Sequence, residues 1–154
     1  MEHEAYRPGA QVLGDWNIVS CLGEGSYGKV FEIERSEFGQ TYRAALKVIT
    51  VPQSSAEVRS VISEGMSVSQ AEAYFHGIVE ELKHEYYIMF KLKGTANIVS
   101  CEDLRVLEHP DGIGWDILIR MELLHPLLPY VYQHPMARRD IIRLGIDICK
   151  ALEQ

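Results

Sequence analysis

The sequence contains few cysteines, and those it has are widely separated. Cys21, Cys101 and Cys149 form no C-x-x-C pair. An odd number of cysteines is more typical of free thiols in a reducing compartment than of a disulfide framework. We therefore expect small, buried packing residues at these three positions, in a cytoplasmic protein.

Positive charge and long apolar runs are also scarce. The formal net charge of −7 argues against a nucleic-acid-binding protein, which would show a basic face. A phosphate ligand is still compatible with it, because backbone N–H groups and one or two lysines suffice locally. The N-terminal MEHEAYRPG lacks the basic start and apolar core of a secretory signal. No apolar run approaches the ~20 residues that cross a bilayer, and the six histidines show no metal-ligand spacing.

The N-terminal third has the pattern of a β-meander. Residues 1–14 are polar and loop-like, and alternation of apolar and polar residues then predicts strands at 16–23, 29–36 and 41–50. Short glycine-containing turns separate them, so we expect antiparallel neighbours. With 154 residues and 47% hydrophobic content, the chain is long enough for one domain with a single core.

The pattern changes to helical after residue 51. A short helix is predicted near 57–64, and Ser69 with Glu72 has the form of a capping box. A long helix then runs to about residue 93 and ends at Gly94. Its repeating face consists of Tyr74, Ile78, Leu82, Glu85, Met89 and Leu92. Glu85 is the charged member of this face, so it needs solvent or a partner.

Two more strands and a final helix complete the prediction. The strands lie at 97–109 and 114–124, on either side of the turn PDGIG. After Pro126 and Pro129, helical spacing resumes and continues to the last residue. The apolar positions of this helix are Ile141, Leu144, Ile148 and Leu152.

Four separated motifs in this order resemble the N-terminal lobe of a protein kinase. They are GEGSYGKV (23–30), AALK (44–47), EYYIMFKL (85–92) and LIRMELL (118–124). The resemblance implies an α+β fold with a five-stranded antiparallel sheet, a long helix between strands 3 and 4, and a final C-terminal helix. It divides the chain into an N-terminal extension (1–14), the kinase N-lobe (15–124), and a hinge exit with the first C-lobe helix (125–154). The long segment 52–67 before the main helix and the stretch GWDILIRMELLHPL (114–127) resemble those of bacterial serine/threonine kinases.

The glycine-rich hairpin has a chemical rationale as a flap over phosphates. Gly23, Gly25 and Gly28 have no Cβ, so their backbone N–H groups can approach phosphate oxygens closely. Tyr27 is predicted at the tip, and Lys29 is predicted to face solvent with occasional phosphate contact. The resemblance implies that a slot beside the hairpin holds the adenine of ATP. The residues expected to form that slot are Leu22, Val30, Ala45, Met121, and the backbone of Glu122 and Leu124.

Lys47 and Glu85 are the expected catalytic pair. Taken separately, each would be interpreted as a solvated charge on a strand or a helix. Taken together, they explain each other as an inward-facing cation and anion. The resemblance implies that Glu85 orients Lys47 on the α- and β-phosphates. Whether the pair is formed depends on the position of the helix.

The catalytic loop of the family, H-R-D-L-x-x-x-N, is not in this sequence. The nearest string, ARRDIIRLG (137–145), has Gly145 where the family has Asn, and it lies at the start of a helix. D-F-G and A-P-E are also missing, so the Mg²⁺ ligands are expected beyond the last residue. Without them we expect the chain alone to be inactive, because transfer of the phosphoryl group depends on the metal.

Three functions compete on these observations. The first is the ATP-binding half of an active serine/threonine kinase, a transferase that phosphorylates a protein substrate. The second is a non-catalytic, pseudokinase-like interaction or assembly module. The third, a dinucleotide-binding fold, requires the glycine motif to open a helix, whereas KVFEIERS after the motif is predicted as strand. In either kinase-like case, the unpartnered final helix predicts a homo-oligomer.

Overall fold

One antiparallel sheet organises the computed structural model, which describes residues 5–26 and 28–153. Its spatial order is β1-β2-β3-β4-β6-β5. The strands are β1 (Gln11–Val12), β2 (Trp16–Gly25), β3 (Gly28–Glu37), β4 (Gln40–Val51), β5 (Cys101–Glu108) and β6 (Trp115–Met121). This α+β architecture and the predicted meander of β2, β3 and β4 are confirmed. Tyr27, predicted at the hairpin tip, lies outside the described residues.

The sheet has six strands, so the prediction of five was wrong. The additional strand is β1, in which Gln11 and Val12 pair with Asn17 and Trp16. Val12 is buried, although it lies in a stretch that was predicted to be a loop. A strand of two residues is too short for apolar alternation to be recognisable in the sequence.

Four helices occur in the described residues: α1 (Ser55–Ser63), α2 (Val68–Lys91), α3 (Leu127–Gln133) and α4 (Arg138–Leu152). Three of them correspond to predicted helices, including the long helix between the third and fourth predicted strands. Helix α3 was missed because helical spacing was predicted to resume only after Pro126 and Pro129. Pro126 is the N-cap and Pro129 lies in the first turn, where the backbone N–H groups have no helical acceptor. None of these four helices is long and apolar enough to cross a membrane.

The capping box of α2 lies two residues earlier than predicted. Ser67 is the N-cap; its hydroxyl accepts the Gln70 N–H at 3.2 Å, and the Gln70 side-chain oxygen accepts the Ser67 N–H at 2.8 Å. Both Ser67–Gln70 and Ser69–Glu72 satisfy the S-x-x-E/Q pattern. The earlier box adds Val68 and Ser69 to the helix, and the sequence pattern alone does not choose between the two.

The two faces of the sheet pack against different parts of the chain. On the outer face, β2, β3, β4 and β6 contribute a buried cluster that includes Trp16, Phe31 and Leu46. Tyr6, Ala10 and Leu13 pack on this cluster, so residues 5–14 form a covering that we call the N-terminal arm. The apolar surface that the arm covers would otherwise be exposed to water, which is unfavourable.

The inner face packs against α2. Phe75 and Val79 of α2 are buried against Val51, Ile117 and Ile119 of the sheet. The predicted apolar face of the helix was wrong at Tyr74, which is 50% exposed. Further along, Ile78, Leu82 and Met89 pack against the cluster, as the predicted spacing requires.

The cysteines are only partly as expected. All three are free thiols, and Cys101 is buried in the inner core. Cys21 and Cys149, however, are exposed, so the expectation of buried packing residues was wrong for these two. Cys21 lies near the hairpin end of β2, and Cys149 lies on α4, which has no buried residue.

Asp116 on β6 holds the N-terminal arm to the outer face. The Tyr6 hydroxyl donates to one carboxylate oxygen of Asp116 at 2.7 Å. The other oxygen accepts from the Thr50 hydroxyl at 2.8 Å and lies 3.1 Å from Nε2 of His109. Burial, followed by the hydrogen bond and the charge of Asp116, raises the pKa of Tyr6 above its ordinary value. The neutral phenol is thus the form that the fold stabilises.

Replacing Tyr6 by phenylalanine tests this anchor. Tyr6→Phe should lower the free energy of unfolding by about 1–2 kcal/mol at neutral pH, because Asp116 loses a charge-assisted hydrogen bond. Since the folded-state pKa of Tyr6 is raised, its contribution is complete below about pH 10 and is lost as the pH rises further. Urea denaturation across this pH range measures both effects. Tyr132→Phe, at a side chain that is 85% exposed, is the control, and equal losses in the two variants would contradict the anchor.

The hairpin glycines differ in what the fold requires of them. Gly28 has φ of +111°, and a Cβ there would collide with the carbonyl oxygen of Val48 on the neighbouring strand. A Cβ at Gly25 would meet nothing within 4 Å. We therefore expect Gly28→Ala to cost at least about 2 kcal/mol of stability, and Gly25→Ala to change it by less than about 0.5 kcal/mol. Urea titrations of the two variants measure the difference, and similar losses would show that the close approach to Val48 is unimportant.

Candidate functional site

A cavity of about 650 Å³ lies between the inner face of the sheet and α2. This volume is within the range of small-molecule sites. Its walls come from β3, β4, β5, β6, α1, α2 and the segment before β5. Four predicted site residues line it: Val30, Lys47, Glu85 and Met121.

The pairing of β4 places Lys47 in this cavity. Lys47 is directly opposite Val30 on β3 and Ile119 on β6. Side chains alternate between the two faces of a strand, and the neighbours of Lys47, Leu46 and Val48, are buried in the outer core. The lysine therefore faces α2, and it is partly buried there.

Glu85 lines the same cavity but does not pair with Lys47. Among the described residues, no ion pair within 4.0 Å joins the two side chains, and Glu85 is exposed. The cavity occupies the space in which such a contact would form. The pair is therefore open in this arrangement of α2.

Lys47 acts electrostatically on a buried thiol instead. Burial raises the pKa of Cys101, the nearby Glu102 raises it further, and the Lys47 ammonium partly opposes them. A thiol with a raised pKa is mainly protonated at neutral pH and is a poor nucleophile. Cys101 and its neighbour Met89 thus line the cavity as packing residues, in agreement with their interpretation from the sequence.

The glycine hairpin forms one edge of the cavity through Ser26 and Val30. A Cβ at Gly23 or Gly25 would meet no heavy atom within 4 Å, so protein packing does not account for glycine at either position. Gly28, in contrast, is required by its close approach to Val48. Gly25 and Gly28 line a second cavity, on the outer face, together with Lys29. Lys29 therefore lies on the face opposite Lys47, where it forms an ion pair with Glu24 at 3.2 Å.

The strand β6 ends at Met121, which lines the inner end of the cavity. Met121 is directly opposite Ala45 on β4. The next residue, Glu122, forms two hydrogen bonds with Ser100. The Glu122 N–H donates to the Ser100 carbonyl at 3.1 Å, and the Glu122 carboxylate accepts the Ser100 N–H at 2.8 Å. Within the described part of the chain, the Glu122 carbonyl and the Leu124 N–H take part in no backbone hydrogen bond. They are available to a ligand.

The remaining predicted site residues do not line the cavity. Ala45 is buried within the sheet, whereas Leu22 and Leu124 are about half exposed at its margins. Sequence reasoning did not assign a site role to Ile49, Phe75 or Ile119, which form apolar walls. Ile49 could have been found by alternation, since it lies two residues after Lys47. Ile119 depended on the pairing of β4 with β6, which no local pattern reveals.

The chemistry of this site is that of binding. One partly buried ammonium, that of Lys47, lies among apolar walls with the exposed carboxylates of Glu57 and Glu85, and hydrogen-bonding backbone groups lie at the end of β6. Such a cavity suits a flat, apolar ligand whose anionic group lies beside Lys47. In residues 5–26 and 28–153, no group of three His, Cys, Asp or Glu side chains could hold a metal ion.

Comparison with known proteins gives one distant relationship. The serine/threonine-protein kinase AKL1 of Saccharomyces cerevisiae is 24% identical to this chain over 160 residues. The aligned region covers 98% of this chain and 14% of the yeast protein, so the chain spans a small part of the length of that relative. No protein-family model matches the sequence. The similarity is distant, and it indicates a kinase-like relationship for a chain whose fold is compatible with a kinase N-lobe.

Proposed function

We propose that this chain is the ATP-binding N-lobe of a serine/threonine protein kinase. The observation that carries the proposal is the cavity that brings together Val30, Lys47, Glu85 and Met121 beside a glycine hairpin. These residues come from distant parts of the sequence, and the kinase resemblance assigns all four to one site. The distant similarity to a yeast kinase supports the same function.

In the proposed complex, adenine lies in the cavity against Val30 and Met121. Ala45, which is opposite Met121, and Leu22 are proposed to complete the slot when ATP is bound. The carbonyl of Glu122 accepts a hydrogen bond from the exocyclic amine, and the Leu124 N–H donates to a ring nitrogen. The phosphates extend under the hairpin, where the N–H groups around Gly23 and Gly25 can donate. Lys47 supplies the positive charge for the α- and β-phosphates.

The open Lys47–Glu85 pair corresponds in this proposal to an unengaged position of α2. Closing the pair requires the two side chains to approach each other across the cavity. At about 4 Å and an effective dielectric of about 20, the attraction is at most about 4 kcal/mol before desolvation is subtracted. The pair is thus an orienting device for Lys47 rather than a source of stability.

The chain by itself is proposed to bind ATP weakly and not to transfer phosphate. Its 154 residues contain no H-R-D catalytic loop and no D-F-G, so the catalytic base and the Mg²⁺ ligands of the family are not present. When bound, Mg²⁺ would neutralise charge on the transferring phosphate. If the parent protein also lacks these motifs, the alternative of a pseudokinase-like interaction module applies.

Lys47→Met tests the assignment of the ligand site. Loss of the ammonium should weaken ATP binding about tenfold or more, because hydrogen bonds to charged groups contribute about 1.5–3 kcal/mol. Titration with ATP, followed by backbone amide chemical shifts, should move the signals of Val30, Lys47 and Leu124 in the unmodified chain. Weak affinity is expected, so the titration extends to millimolar ATP.

Lys83→Met is the matched control for this titration. Lys83 lies on α2, pairs with Glu80 at 2.7 Å and does not line either cavity, so its removal should leave ATP affinity unchanged. If ATP shifts no signal of the cavity residues, or if both variants weaken binding equally, the proposed site is wrong.

We further propose that two copies of the chain associate through α4. No residue of α4 is buried; the exposed fraction is 58% for Ile141, 51% for Ile148 and 81% for Leu152. Ile141, Leu144 and Ile148 have the 3–4 spacing of a coiled-coil seam. The helix carries Arg138, Arg139, Asp140 and Arg143 in its first half and Asp147 and Lys150 in its second, so its charges do not select between a parallel and an antiparallel pair.

Ile148→Glu tests this association. The carboxylate introduced in the seam should convert a dimer into a monomer, because the dimer would bury this charge without a partner of opposite charge. Light scattering at high protein concentration measures the mass. Glu153→Gln, at the end of the helix, is the control and should keep the dimer. A monomeric unmodified chain at these concentrations would refute the association.

A further inference from the structure

A second cavity, of about 520 Å³, lies on the outer face of the sheet. The strand register defines its position: Cys21 is opposite Phe31, Glu24 is opposite Lys29, and Lys29 is opposite Val48. Directly opposite residues share a face of the sheet, and this face is the one that does not carry Lys47. The second cavity therefore lies on the face of the sheet opposite to the proposed ATP site, although Ile49, Thr50 and Gln53 line both cavities. Its interpretation does not rest on that site.

The N-terminal arm forms the outer wall of this cavity. Tyr6, Arg7 and Pro8 line it, and the arm is held in place at both ends of this segment. Tyr6 donates to Asp116 at 2.7 Å, and the Gly9 N–H donates to the Ile18 carbonyl at 2.8 Å. The Tyr6 ring also lies 6.3 Å from the ring of Phe31. The wall is thus preformed, which lowers the entropic cost of binding a ligand.

The charges around this cavity differ in sign from those of the chain as a whole. The chain has a formal net charge of −7, yet two of the three charged side chains that line the cavity, Arg7 and Lys29, are cationic. The third is Glu24, which pairs with Lys29. Both cations interact with other groups of the protein, so a bound anion would join existing contacts of Arg7 and Lys29.

The floor of the cavity is apolar and aromatic. Tyr6 and Phe31 provide ring faces, and Pro8 and Val48 add aliphatic surface. An aromatic body with a single anionic group matches both parts, because its ring can stack on the floor while its acid group meets the cations. A larger polyanion would fit less well, since Glu24 lies in the same lining.

We propose that this outer cavity binds small aromatic anions, with the ring against Tyr6 and Phe31 and the acid group beside Arg7 and Lys29. Gly25 and Gly28 also line it. A ligand there therefore touches the glycine hairpin from the side opposite to Lys47.

Cys21 provides a direct readout of occupancy. Its thiol lines the cavity and is exposed, whereas Cys101 is buried. In a Cys149→Ser background, Cys21 is the exposed cysteine, and iodoacetamide should alkylate it at a measurable rate. Addition of 2-naphthalenesulfonate should slow this alkylation saturably, by about tenfold or more, as expected for a thiol covered by a bound ligand.

Three comparisons show whether the anionic group is recognised. Arg7→Gln should raise the concentration for half-protection about tenfold, since it removes a charged hydrogen-bond partner. The uncharged analogue 2-naphthalenemethanol should protect Cys21 correspondingly less. In a Cys21→Ser protein, the sulfonate should leave the alkylation rate of Cys149 unchanged.

The same measurements can overturn the proposal. An unchanged alkylation rate up to the solubility limit of the sulfonate would exclude binding. Equal protection of Cys21 by the neutral analogue would exclude an anion site. If the sulfonate slowed the alkylation of Cys149 as much as that of Cys21, the effect would be non-specific adsorption. Circular dichroism verifies that Arg7→Gln is folded; if it is not, Lys29→Gln replaces it, with the same expected loss of protection.

Discussion

The pairing of β4 on both of its edges is the constraint on which the rest of this structure depends. From residue 45 to residue 48, each β4 residue is opposite a residue of β3 and a residue of β6. Leu46 and Val48 are buried on the outer face, and Lys47 faces α2. A shift of one residue would exchange the two faces, which would place the lysine in an apolar core and Leu46 in the ligand cavity. Burial of the outer core therefore fixes the orientation of Lys47.

The two faces of this sheet are completed by very different segments. Helix α2 covers the inner face and leaves a cavity around Lys47, whereas the N-terminal arm covers the outer face and leaves a cavity around Cys21. The glycine hairpin contributes to both linings. Because β2 and β3 are hydrogen-bonded up to Gly25 and Gly28, a ligand on one face touches the same short hairpin as a ligand on the other. The two cavities also have Ile49, Thr50 and Gln53 in common among their lining residues.

The hairpin also shows that one motif can serve two physical purposes. Gly28 is required by its backbone conformation and by the closeness of Val48, which are properties of the folded protein without a ligand. Gly23 and Gly25 have open space where a side chain would be, which is compatible with a ligand that approaches the backbone. The spacing G-x-G-x-x-G does not distinguish these purposes, and the inference of a phosphate flap gains weight from Lys47 and Glu85 rather than from the glycines alone.

Local patterns in the sequence determined the strands β2, β3 and β4 and the long helix α2, because alternation and helical spacing depend on near neighbours. The grouping of Lys47 with Glu85 came from the resemblance to a kinase N-lobe. Only the tertiary structure decided the added strand β1, the choice of Ser67 over Ser69 as the N-cap, and the position of α2 that leaves Lys47 and Glu85 unpaired. It also decided the covering of the outer face by the N-terminal arm, which depends on a bond between Tyr6 and Asp116, 110 residues apart. The local sequence around either residue of such a contact does not predict the other residue. These contacts are therefore determined by packing and by burial of apolar surface.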